Sequence, residues 1–247
     1  MTALTQTFPR AGVPRLSQIE LRKMGDTRAG FWLLLVVELM AAAIVTITVI
    51  AGKAADKDLY SLFQGTLWVV SILLPVLGIL LVTSEWSQRT GLTTFALVPE
   101  RGRVIAAKLI AAIGLALAAT IACLITAAAG NLVAGGSWSL SLGAIGRGAL
   151  FETLGLLGGV AFGLVFMNSA LAIVLYYILP TAWTILGETI HALDKPANWL
   201  DTSRTVQPLV EGGMTGTDWA QLGTSMALWV GLVLLVGLWR LRRTELK

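Results

Sequence analysis

Glu85-Trp86-Ser87-Gln88-Arg89-Thr90-Gly91-Leu92-Thr93-Thr94-Phe95-Ala96-Leu97-Val98-Pro99-Glu100-Arg101-Gly102-Arg103 sits between two apolar runs, Leu62 to Ser84 before it and Val104 to Gly130 after it. A helix needs about 20 apolar residues to cross a bilayer, and each run has them. The polar stretch is therefore expected outside the lipid. It is not composed like a flexible linker, because charged Glu85, Arg89, Arg101, Arg103 and, further on, Lys108 surround a semi-apolar middle, Leu92 to Leu97. Pro99 stops a helix there, since it has no N–H to donate and restricts the residue before it. The spacing predicts a short amphipathic helix across the membrane face, a turn, and a new spanning helix.

The rest of the chain agrees with a membrane environment. Of 247 residues 56% are apolar and only 13% charged, against about 25% charged in soluble domains, and the mean hydropathy is +0.79. The formal net charge of +4 would point to nucleic acid in a soluble protein, but in a membrane protein its distribution matters more than its sum. No nucleic-acid partner is expected. The single Cys123 lies in an apolar run and reads as a small packed residue. The first 30 residues are polar, and the apolar run after them is too long for a signal peptide and has no small-residue cleavage site behind it, so the first span is expected to stay in place.

An all-α integral membrane protein of one domain, residues 1–247, follows. Residues 13–28 form a helix candidate, with Pro14 suited to a first turn and Leu16, Ile19 and Met24 alternating with Arg15, Arg22, Lys23 and Arg28. It is expected to lie in the interface with its cations on head groups, the alternative being a solvated basic tail. Leu21 interrupts the stripe. Six spans are read at 31–51, 62–84, 104–129, 149–166, 169–187 and 222–239, with a tight turn at Met167-Asn168-Ser169 and an external loop over 188–221. Trp138, Trp183, Trp199, Trp219 and Trp239 fall near span ends or in loops, as interfacial aromatic belts do.

Lys and Arg fix the orientation. With an inner N-terminus, five fall in the tail, four between 85 and 108 and four at the C-terminus, thirteen of the 18 in all. Lys53, Lys57, Arg147, Lys195 and Arg204 are left outside. Both termini and the 85–103 segment are thereby expected in the cytoplasm.

At this point the chain resembles a known family. An acidic residue, a basic residue, a Thr/Gly pair, an apolar run, Pro, Arg and an Ala-Lys-Leu opening the next helix look like the coupling segment in permease subunits of type-2 ATP-binding-cassette exporters. The matching positions are Glu85, Arg89, Thr90, Gly91, Pro99, Arg101, Arg103 and Lys108. Many members read Gly before Thr where this chain has Thr90 before Gly91. The resemblance implies an N-terminal elbow helix at 13–28 and a cytoplasmic coupling helix between helices 2 and 3. It also implies a separate cytoplasmic ATPase that carries ATP and magnesium, and a second permease copy, identical or related, in a bacterial cytoplasmic membrane. No cofactor is expected on this chain, which has no G-x-x-x-x-G-K-[ST] loop, H-E-x-x-H or paired cysteines. It is not expected to be an enzyme. ATPase coupling would fall to Glu85, Arg89, Thr90, Phe95, Pro99, Arg101 and Arg103.

Three further features stand out. Glu38 falls near the middle of the first span, where a carboxylate costs at least about 2.5 kcal/mol, so it is expected to face protein or a water-filled path. It serves either a translocation route or a structural hydrogen bond, and an ion-coupled carrier built on Glu38 is one alternative function, a non-transporting anchor or sensor for an ATPase another. Gly155, Gly159 and Gly163 form a ridge that lets a helix approach closely, within the subunit or between two copies. Glu152, near Arg147 and the start of span four, reads as interfacial, and the only histidine, His191, as an exposed loop residue.

Overall fold

The structure, a computed structural model, describes residues 12–87 and 101–243, without the side chains of 85–87 and 101. Among them the chain is all-helical. The elements are α1 (Val13–Asp26), α2 (Arg28–Ala51), α3 (Leu59–Ser87), α4 (Arg101–Ala134), α5 (Leu142–Phe166), α6 (Ser169–Thr189), α7 (Asp194–Leu200), α8 (Thr202–Glu211), α9 (Gly216–Met226) and α10 (Val233–Arg243). A π-helical stretch, Ala227–Leu232, joins α9 to α10 without a break. Six helices are long and apolar enough to cross a membrane: α2 to α6, and the run Gly216–Arg243.

Apolar residues set this fold by their number, and polar ones mark where several helices start. Thr27 caps α2 by accepting from the Gly30 N–H, Ser141 caps α5 through Ala144, and Asn168 caps α6 through Leu171. Between α5 and α6 the chain reverses at Met167, which takes the left-handed conformation at φ 50°. At that turn the Thr83 hydroxyl of α3 meets Ser169 at 2.7 Å.

α3 and α5 are the two most buried spans. Their contact is made on backbone: a Cβ on Gly159 would run into the Pro75 carbonyl, and one on Gly78 into the Leu156 carbonyl. Gly163 faces Ile79, whereas Gly155 has only the Pro75 ring at 3.7 Å. The glycine ridge therefore seats α3 on α5 within one subunit.

Two expectations need correction. The 188–221 stretch is no simple loop: it holds α7, α8 and the first turn of α9, and α8 buries Thr205, Leu209 and Val210. Asp201 caps α8 through the Ser203 N–H, and Thr215 with Asp218 forms a full capping box on α9. Glu152 is not interfacial. α5 begins at Leu142, so Glu152 lies roughly 15 Å along it at 1.5 Å per residue. It is 1% exposed, and neither of its oxygens has a hydrogen-bond partner.

Candidate functional site: a cavity under the α7–α8 hairpin

Two prolines shape the site. Pro75 in α3 and Pro180 in α6 cannot donate to the carbonyls of Ser71 and Tyr176, four residues earlier. Next to the first of these, the Ile72 carbonyl accepts the Tyr177 hydroxyl of α6. Between the two helices, with α5 behind and α8 and the π-helical stretch on the remaining sides, is a cavity of about 580 Å³. Small-molecule sites commonly enclose roughly 300–1,000 Å³.

Six aromatic side chains line it: Trp68, Phe151, Phe162, Tyr176, Tyr177 and Trp229. Trp68 meets Phe151 edge-on at 5.3 Å, and Tyr176 stands edge-on to Phe162 at 5.4 Å and to Tyr177 at 5.0 Å. On the far side Trp229 is fixed by donating its indole N–H to the Leu200 carbonyl at 2.8 Å. The π-helical turn carries Trp229 and Val230 into the lining, a place where such turns often serve function. The polar side is α8, through Thr202, Ser203, Gln207 and Glu211, with Gln207 donating to one Glu211 oxygen at 2.9 Å.

α8 is held by its C-terminal end. Its last carbonyls point at no intrahelical donor, and three side chains from the spans supply donors instead. The Arg147 Nε–H reaches the Leu209 carbonyl at 3.1 Å, Gln64 reaches Val210 at 2.8 Å and Tyr60 reaches Glu211 at 2.6 Å. A cation at a helix C-terminus also complements the helix dipole. At the other end of α8, Thr184 donates to buried Asp201 at 2.9 Å. Arg147→Ala is expected to loosen α8 by about 1.5–3 kcal/mol, the worth of a charge-assisted hydrogen bond. Hydrogen exchange should speed up over residues 202–211 and stay unchanged in α3; unchanged protection of α8 would refute the anchoring role.

The sequence candidates lie elsewhere. Arg89, Thr90, Phe95 and Pro99 fall outside the described residues. Glu85 is in the last turn of α3, Arg101 opens α4, and Arg103 is in the first turn of α4. Lys108 is no rim charge: at 2% exposure its Nζ donates to Glu20 of α1 at 2.5 Å and to the Leu81 carbonyl at 2.8 Å. Glu38 is exposed on α2, accepts from Thr126 of α4, and is not among the cavity residues. Of the glycine ridge, Gly155 lines the cavity. His191 is exposed and stands 3.4 Å from Asp194. Among the described residues no His, Cys, Asp and Glu cluster could hold a metal.

Sequence reasoning did not find the cavity, because its lining comes from five separate segments whose residues are individually ordinary. The two prolines were its available signal. No protein-family model matches the chain. No curated protein matches it either.

Proposed function

We propose that the chain is the membrane-spanning subunit of an ATP-binding-cassette exporter, forming the substrate pathway while a separate cytoplasmic ATPase, loaded with ATP and magnesium, drives it. The observation that carries this reading is the course of α3. Near its start Trp68, Ser71 and Ile72 line the cavity, and its last turn runs into the 85–103 segment that resembles a coupling helix. From Ile72 to Glu85 the helix runs about 20 Å, at 1.5 Å per residue. A push on the segment is carried to the cavity along one helix, through Pro75.

Charge supports the same orientation. Among the described residues, Arg15, Arg22, Lys23, Arg28, Arg103, Lys108 and the C-terminal arginines gather at the end of the bundle where α3 finishes and α4 starts. By the positive-inside rule that end is cytoplasmic, with both termini inside, and the family resemblance implies a bacterial cytoplasmic membrane. Glu38 favours a second permease copy. Its exposed carboxylate on an otherwise apolar face would cost about 2.5–3.5 kcal/mol against lipid, and a partner covering α2 removes that cost.

Co-expression with an ATPase encoded beside the chain, followed by purification in detergent, tests the reading. Glu85→Arg and Arg101→Glu are each expected to weaken co-elution about tenfold or more and to lower ATPase activity, through like-charge contact at the docked rim. Glu188→Arg, at the opposite end of the bundle, should change neither. Docking and ATP turnover that survive both reversals would overturn the proposal.

A further inference from the structure

We infer that the cavity binds a lipophilic organic cation, an aromatic or quaternary ammonium or phosphonium type; as a statement about cargo this rests on the exporter reading, but as a binding site it does not. Charge complementarity carries the inference. Among the described residues that line the cavity, Glu211 is the one carboxylate, and there is no Lys, Arg or His. Only one Glu211 oxygen is engaged by Gln207. Pro75 and Pro180 also leave the carbonyls of Ser71 and Tyr176, both lining residues, without their helical donors.

The walls match the same charge. Mutually perpendicular rings, Tyr176 against Phe162 at 82° and Tyr176 against Tyr177 at 87°, turn some π-faces toward a shared space from different directions. A ring face attracts a cation, and attracts it more when water is excluded. An anion of equal size would meet the Glu211 carboxylate and the negative ring faces, with no Lys, Arg or His side chain in the lining to offset them. The cavity volume of about 580 Å³ holds a drug-sized body.

Tetraphenylphosphonium and tetraphenylborate have the same shape and opposite charge, so the pair isolates the sign. Calorimetric titration of each into the full chain in zwitterionic lipid nanodiscs, with empty nanodiscs subtracted, is the experiment. Saturable binding is expected for the phosphonium and none for the borate. Glu211→Gln should weaken the phosphonium about tenfold, the loss of a partly screened charge contact, and Tyr176→Leu by a similar factor. Glu188→Gln, an exposed carboxylate outside the cavity, should leave it unchanged. Equal binding of both ions, binding of neither by folded protein, or a Glu211→Gln variant that binds like wild type would overturn the inference. Because no ATPase is present, such a failure leaves the exporter reading standing, and loss of ATPase docking with intact phosphonium binding would do the reverse.

Discussion

Lys108→Met is expected to lower the stability of the folded chain by about 3 kcal/mol, at the lower end of the range for breaking a buried ion pair. Glu20 and Lys108 are 5% and 2% exposed, and their contact joins α1 to α4 while the Leu81 carbonyl ties the same ammonium to α3. Removing the ammonium leaves a buried carboxylate with Lys23, a half-exposed neighbour at 2.7 Å. That residual pair is worth less than about 1 kcal/mol because water screens it. Lys23→Ala should accordingly cost under 1 kcal/mol. The double change Glu20→Gln with Lys108→Met should recover much of the loss, since it removes both charges. Thermal unfolding in detergent gives the three values, and trypsin cleavage at Arg15 or Arg22, both exposed, reports α1 leaving the bundle. If Lys108→Met costs no more than Lys23→Ala, the ion pair does not hold α1.

The same pair shows what the sequence concealed. The stripe Leu16, Ile19 and Met24 was expected to define the face of α1, yet Ile19 is 43% exposed and the buried residues are Ser17, Glu20 and Met24. The burial of Glu20 makes sense only beside a cation more than eighty positions later. Hydropathy reads one helix at a time and has no access to such a partner. Ile19 is thereby left facing outward with Arg15 and Arg22, while Leu21 lies partly covered beside Gly114 of α4.

Six apolar helices were legible because a bilayer-length run of leucine, alanine and valine has few other solutions. Helix starts were less legible where polar residues open a span. Leu142 to Gly148 contains Arg147 and three glycines and reads as loop, yet Ser141 caps it and Arg147 turns its charge onto α8. That shift of seven residues moved Glu152 from an expected interface into the core. In 188–221 the proline and glycine content hid two helices, although Thr215-x-x-Asp218 carried a capping box in plain order. Glu38 drew attention as a lone carboxylate, but it sits on the outer face of α2, and Glu211, the acid at the cavity, looked like an ordinary loop residue.

The glycine ridge gives the second large effect, and it separates two explanations that the spacing alone leaves equal. Gly159→Ala is expected to destabilise the chain by about 3 kcal/mol, the upper end for overpacking. The new Cβ would meet the Pro75 carbonyl oxygen, with its carbon at 2.9 Å and Cα at 3.1 Å, and backbone cannot rotate away as a side chain can. Gly163→Ala is milder, since the Ile79 oxygen and Cα lie at 3.1 and 3.3 Å. Gly155→Ala should be neutral or stabilising by up to about 1 kcal/mol, because it meets only the Pro75 ring at 3.7 Å and gains the helix preference of alanine. If the ridge instead joined two copies, all three substitutions would weaken association and leave monomer unfolding alone. Unfolding midpoints ordered Gly159, Gly163, Gly155, with association unchanged, would place the ridge inside the subunit. There it fixes the spacing of α3 and α5, and through Trp68 and Phe151 the width of the cavity. Gly159→Ala should therefore also cut phosphonium binding in whatever fraction of the protein remains folded.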